Sequence, residues 1–172
     1  VTLYVGIELA AFSGYLLAGF LRGSLTSMEA AVKYFLNGIF ASAFILFGIA
    51  LLYGTTGSTN YQEISDAVSA GHVAQWPLAA AIIVLLGGLA FKVALVPFHN
   101  WAPDVYQGAP APAAAFLASG PKVAGFAGMI KLFIIVLASQ SDTWVDLMIA
   151  LSIATMLAGS TLALVQRDLK RM

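Results

Sequence analysis

Apolar residues along this chain gather in five long runs, at 1–21, 28–53, 76–98, 111–138 and 144–165, separated by short polar segments. An α-helix rises about 1.5 Å per residue, so roughly 20 residues cross a bilayer core about 30 Å thick. The runs predict an all-α fold: a polytopic transmembrane helix bundle, one partial membrane domain over 1–172. Thr26 or Ser27 is placed to cap the second helix, with Glu29 near its first turn. Gly54, Gly57, Asn60 and Gly71 punctuate the longest polar connection, 54–75, where a short surface helix is expected over 61–70. Trp76 suits an interfacial anchor and Pro77 a helix start. Near the end of the third run, Pro97 removes a backbone donor and clashes with the preceding turn. That predicts a broken third span whose carbonyls face a cavity, as at transport sites. The simpler alternative is that Pro97 ends the span. Trp101, Pro103, Tyr106, Pro110 and Pro112 stiffen the connection that follows.

Charges inside the runs change the picture. Lys92 and Lys122 each sit within an apolar stretch. A lone ammonium in hydrocarbon is costly, so it faces a protein interior or a wet cavity. For Lys92 the competing reading is escape of the ammonium to the surface. Lys122 follows Gly120 and Pro121, and Ala124, Gly125 and Gly128 let it face a tight helix contact. Glu8 reads either as a structural hydrogen-bond acceptor or as an intramembrane carboxylate paired with a lysine. Lys33, about one turn into the second run, either snorkels to the headgroups or lies on an ion path that Asn37 and Ser42 help hydrate. Lys131 is nine positions after Lys122, a turn of about 900° that puts the two on opposite helix faces. It faces a partner or a second polar cavity. His99 and Asp104 lie in the connection after the third run, where each is able to exchange protons near the aqueous surface. His72 reads as ordinary surface.

Composition narrows the class. The chain has 172 residues, 60% of them hydrophobic and only 9% charged, against about 25% charged in a soluble domain. Eight basic and eight acidic residues cancel, which leaves no basic stripe for nucleic acid. Without cysteine there is no disulfide framework, thiol nucleophile or iron–sulfur ligation. The chain begins inside an apolar run without Met and stops after a basic cluster, which reads as an interior fragment of a longer protein. Five spans put Arg22, Arg167, Lys170 and Arg171 on one face and Glu63, Asp66, Asp142 and Asp146 on the other. The positive-inside rule assigns the basic face to the cytoplasm.

The segment Phe91-Lys-Val-Ala-Leu-Val-Pro-Phe-His-Asn-Trp-Ala-Pro-Asp-Val-Tyr-Gln-Gly-Ala-Pro110 resembles the broken-helix region of the antiporter-like membrane subunits of respiratory complex I. Its second half is most similar to the subunit N branch of that family. Gly6-Ile-Glu-Leu9, Glu29-Ala-Ala-Val-Lys-Tyr34, Ser119-Gly-Pro-Lys122 and Asp168-Leu-Lys-Arg171 match further blocks in the same order. The resemblance implies a proton relay through Glu8, Lys33, Lys92, His99 and Lys122, with Lys131 and Asp104 as accessory candidates. Lys33 or, in the family pattern, Lys92 is the partner of Glu8. It further implies a subunit of NADH-quinone oxidoreductase in a bacterial inner membrane, among other membrane subunits of complex I and the lipid bilayer. NADH, FMN, iron–sulfur clusters and quinone would belong to the whole complex, with no cofactor, metal or redox chemistry on this chain. The alternatives are a cation/proton antiporter subunit of a multisubunit Mrp-type complex, or a purely structural membrane subunit.

Overall fold

A computed structural model describes residues 1–172. The chain forms helices throughout: α1 (Thr2–Ala18), α2 (Leu25–Thr56), α3 (Tyr61–Ser69), α4 (Gln75–Val93), α5 (Trp101–Gly108), α6 (Ala111–Met129) and α7 (Ser141–Val165). From Ile130 to Val136 the helix of α6 continues in π geometry, and a 3₁₀ turn over Ala138–Gln140 leads to α7. Four helical stretches are long and apolar enough to cross a membrane: Leu25–Thr56, Gln75–Val93, Ala111–Val136 and Ala138–Val165. α1 is apolar but shorter, at 17 residues. The architecture is an all-α bundle of long apolar helices, the stretch from Ala111 to Val136 being built of two joined pieces.

Local chemistry sets the ends. Ser24 caps α2 by accepting from Ser27 N at 3.3 Å, and α2 stops at Gly57 in the left-handed region, φ 71°. Asn60 caps α3 through Gln62 N at 2.8 Å. α6 opens with proline in its first turn, where a missing donor costs nothing.

The third run departs from expectation. Its helix ends at Val93, not 98, and the chain turns at Ala94, φ 62°, three positions before Pro97. The Leu95 amide donates to Ala90 O at 2.9 Å and closes the helix end. Pro97, in a cis peptide, lies in the irregular stretch beyond the break rather than at it. The expected stiff connection contains a second helix, α5. Pro103 is tolerated there because it falls in the first turn.

α4 is the axis of the bundle: Leu78, Ala81, Ile82, Leu85, Leu86 and Leu89 are almost wholly buried. α2 lies closest against it. A methyl added at Gly88 would stand 3.0 Å from Ile45 N and 3.1 Å from Ala41 O, so the two backbones touch only because that position is bare. One core cluster joins α2, α3, α4 and the π segment; the second joins α1, α2, α5 and α6 around Trp101. α7 buries no residue of its own. It is fastened through Thr155 Oγ1, which accepts from Val96 N at 3.0 Å in the irregular stretch.

Candidate functional site

Lys92 lies in the last turn of α4, just before the break. Its side chain is 10% exposed, and Nζ stands 3.1 Å from Glu8 Oε1 of α1. Ser42 of α2 donates to Glu8 Oε2 at 2.5 Å and receives Lys92 Nζ at 3.4 Å. Ser42 Oγ also lies 2.9 Å from Gly38 O. One hydroxyl proton cannot serve the carboxylate and the carbonyl together, so Ser42 has two alternative donor directions. Of the two partners open to Glu8, the geometry selects Lys92. Glu8 and Ser42 also line an open groove between α1 and α2.

Lys122 is held differently. Its ammonium is buried with no hydrogen-bond partner and sits over aromatic rings, 4.4 Å from the Trp101 centroid and 5.2 Å from that of Tyr106. Tyr34 stacks on Trp101 at 4.7 Å and 9°. The Trp101 indole donates to Phe91 O at 3.2 Å, tying α5 to the frayed end of α4. A desolvated cation–π contact returns about 2 kcal/mol or more. Taking an ammonium out of water costs several kcal/mol. The rings alone do not offset that cost, and Lys122 is the least compensated of the buried charges. Burial pushes the Tyr106 phenol up to about 12, so it stays neutral beside the ammonium. Between Lys92 and Trp101 lies a void of about 20 Å³, bounded also by Tyr15, Tyr34 and Pro121. That is room for a single water with polar neighbours.

His99 stands beyond the break, its Nδ1 buried without a partner. It opens onto a cleft of about 320 Å³ that α5 shares with the end of α7 and with Gln166 and Arg171.

Lys33 does not meet Glu8. Its Nζ lies 2.7 Å from Asp104 Oδ2 and 2.7 Å from Glu29 Oε1. Asp104 Oδ1 stands 2.8 Å from Arg171 Nη1 in an ion pair. Asp104 lies outside the long apolar helices. The Lys33 hydrogen bond holds its carboxyl below the usual range against the opposing effect of burial, with the charges of Lys33 and Arg171 adding to it. Lys131 is exposed, its Nζ 5.4 Å from the Tyr61 ring centroid, away from all these groups.

The structure thus joins Glu8 and Lys92, sets Lys122 over the rings of Trp101 and Tyr106, opens His99 to a cleft, and sets Lys33 with Asp104 at the end of the bundle. Reasoning from sequence took Ser42 only as a hydrating neighbour and Trp101 and Tyr106 only as stiffeners. Glu29 was readable as the i, i+4 partner of Lys33; the roles of the aromatic rings carry no such spacing signal. No three His, Cys, Asp or Glu side chains gather as a metal site.

Comparison with known proteins adds a second line of observation. The family described as NADH:quinone oxidoreductase/Mrp antiporter, TM, matches residues 1–172. The NADH-quinone oxidoreductase subunit N of Trichlorobacter lovleyi is 44% identical over 172 residues, covering 99% of this chain and 35% of the relative. The chain therefore spans about a third of the length of the curated relatives it matches. Among solved structures, respiratory complex I from Thermus thermophilus contains a chain 40% identical, TM-score 0.77, covering 98% of this chain and 35% of that one. The membrane-bound sulfane sulfur reductase, an archaeal respiratory membrane complex, contains one 29% identical with TM-score 0.89, covering 98% and 34%.

Proposed function

This chain belongs to the NADH:quinone oxidoreductase/Mrp antiporter transmembrane family, and on that premise we propose that it carries protons through the membrane arm of a bacterial NADH-quinone oxidoreductase. The observation that carries the reading is the Lys92–Glu8 pair, set at the frayed end of the most buried helix. Glu8 favours the charged form of Lys92 while the two are in contact. When the pair opens, the desolvated ammonium becomes the costly form, and its proton moves to a neighbour. The small void reaches Trp101, whose ring also carries the Lys122 ammonium. His99 and its cleft supply the connection to the aqueous end. Ser42 steadies Glu8 and turns toward Gly38 O when the pair separates. In this reading NADH, flavin, iron–sulfur and quinone chemistry belongs to other subunits, and this chain contributes proton movement.

The orientation belongs to the same proposal. Arg22, Lys33, Asp104 and Arg171 lie at the cytoplasmic end, and α3 at the opposite one. Single cysteines at Gln62 and at Lys170 test this in sealed vesicles: an impermeant thiol reagent reaches them from opposite sides. Labelling of both from one side overturns the orientation.

The relay is tested in the intact complex, in proteoliposomes, as protons moved per electron. Lys92→Met and Lys122→Met each keep side-chain length and remove the charge. Translocation falls to background for Lys92→Met in an assembled complex. Wild-type stoichiometry in both variants removes these residues from the path. Sodium-dependent exchange in place of redox-linked proton movement would establish the antiporter alternative instead.

A further inference from the structure

The charged cluster at the end of the bundle meets the path described above only where Arg171 lines the His99 cleft. Asp104 is the only side chain of α5 that meets cations from two other parts of the fold, Lys33 of α2 and Arg171 of the segment after α7. Around this carboxylate α5 and the segment after α7 are joined again. Arg171 donates to Gln107 Oε1 at 2.6 Å and to Gln166 Oε1 at 3.2 Å. Gln107 donates to Asp168 Oδ2 at 3.1 Å. Lys170 Nζ donates to Ala109 O at 2.9 Å, just past the end of α5.

The helix held this way needs holding. α5 has only eight residues and follows an irregular stretch, so the α4 ladder does not fix its direction. Yet α5 carries both rings that lie under the Lys122 ammonium. Trp101 at its first turn is anchored to Phe91 O; its far end has no comparable tie to α4. A small rotation about Trp101 would swing Tyr106 away and change the surroundings of Lys122. Glu29, Lys33, Asp104 and Arg171 balance in charge, two of each sign, and every one is in an ion pair. Such a closed set is suited to fixing geometry and poorly suited to passing a net proton.

We propose that Asp104 is a positioning residue: gripped by Lys33 and Arg171, it locks α5 to α2 and to the segment after α7, and thereby holds Trp101 and Tyr106 against Lys122. Lys33 acts in this lock rather than as a proton carrier. The inference rests on the translocation reading for its consequence, while the lock itself is measurable without transport.

The test uses the intact complex with a cysteine pair, Gln107→Cys and Asp168→Cys, in place of a contact that already spans the lock. With Asp104 present, mild oxidation closes the disulfide quickly. Asp104→Asn slows closure by about tenfold, on the scale of losing a hydrogen bond to a charged partner, and Asp104→Glu restores it. Equal rates with and without the carboxylate overturn the lock, whatever transport does. The second readout is proton translocation. Asp104→Asn lowers it, closing the disulfide recovers it, and reducing the disulfide loses it again. No recovery in the closed form overturns the proposal in favour of Asp104 as a proton carrier. Loss of transport on closing the disulfide in an otherwise unaltered chain overturns it too, since a fixed α5 would then be harmful. If Asp104→Asn does not assemble, Arg171→Gln leaves the Lys33 arm in place and is put through both readouts with the same outcomes. Failure of Lys92→Met to affect transport would remove the translocation reading and leave the closure rates standing.

Discussion

Two charged regions of this molecule are built on opposite plans. In the interior, Lys92 has one carboxylate, Glu8, and one hydroxyl, Ser42, while Lys122 has only ring faces. At the end of the bundle, Lys33 has two carboxylates and Asp104 has two cations. Removing Glu29 or Arg171 at the end leaves Lys33 and Asp104 paired with each other. Removing one member inside strands a charge in apolar surroundings. Sparse pairing makes a group sensitive to its neighbour's position, which suits switching, and redundant pairing makes it insensitive, which suits holding.

The contrast is sharpest at Glu8. Glu8→Leu leaves the Lys92 ammonium unpaired, and losing one partner of a buried pair costs about 3–5 kcal/mol. The outcome is loss of translocation, with retained transport in an assembled complex breaking the comparison. Ser42→Ala removes a bridge but leaves the pair. It lowers stability by about 1 kcal/mol and reduces the translocation rate several-fold, read from the initial rate of proton uptake. Asp104 gives a pH test. Its folded carboxyl lies below the unfolded value of 3.8, so its contribution is complete above that range and disappears as pH falls through the folded value. Disulfide closure between Gln107→Cys and Asp168→Cys, corrected for thiolate content, stays level from neutral pH to about 5 and slows only below about 4. A decline centred between pH 6 and 7 would mean another group governs the lock. The smallest effect is at Lys131, exposed and far from both regions: Lys131→Gln changes neither transport nor assembly, and a measurable transport defect would extend the interior plan to it.

The sequence made the class and the charged positions legible because composition and run length depend on local chemistry alone. A lysine or glutamate inside an apolar run stands out without any knowledge of packing. The site of the break did not stand out. Pro97 is the obvious disruptor, but the turn falls at Ala94, and nothing marks an alanine for the left-handed region. The α5 helix was hidden by Pro103 and the prolines near it, since a proline in a first turn and one that breaks a helix read alike. The partner of Glu8 was left between Lys33 and Lys92 because pairing depends on how α1, α2 and α4 are turned toward one another. The rings under Lys122 come from a helix that spacing along α6 cannot point to. The sequence thus reports which charges are buried, and tertiary packing decides what each one meets.

The void between Lys92 and Trp101 has one more consequence. At about 20 Å³ it is large enough for a water. A sodium ion crossing there would have to shed most of its hydration shell against a mostly apolar wall that carries the Lys92 ammonium. A proton crosses by rearranging bonds on the one water and needs no such exchange. On the proposed path, then, the gap would act as a filter by size, favouring a proton over a hydrated cation.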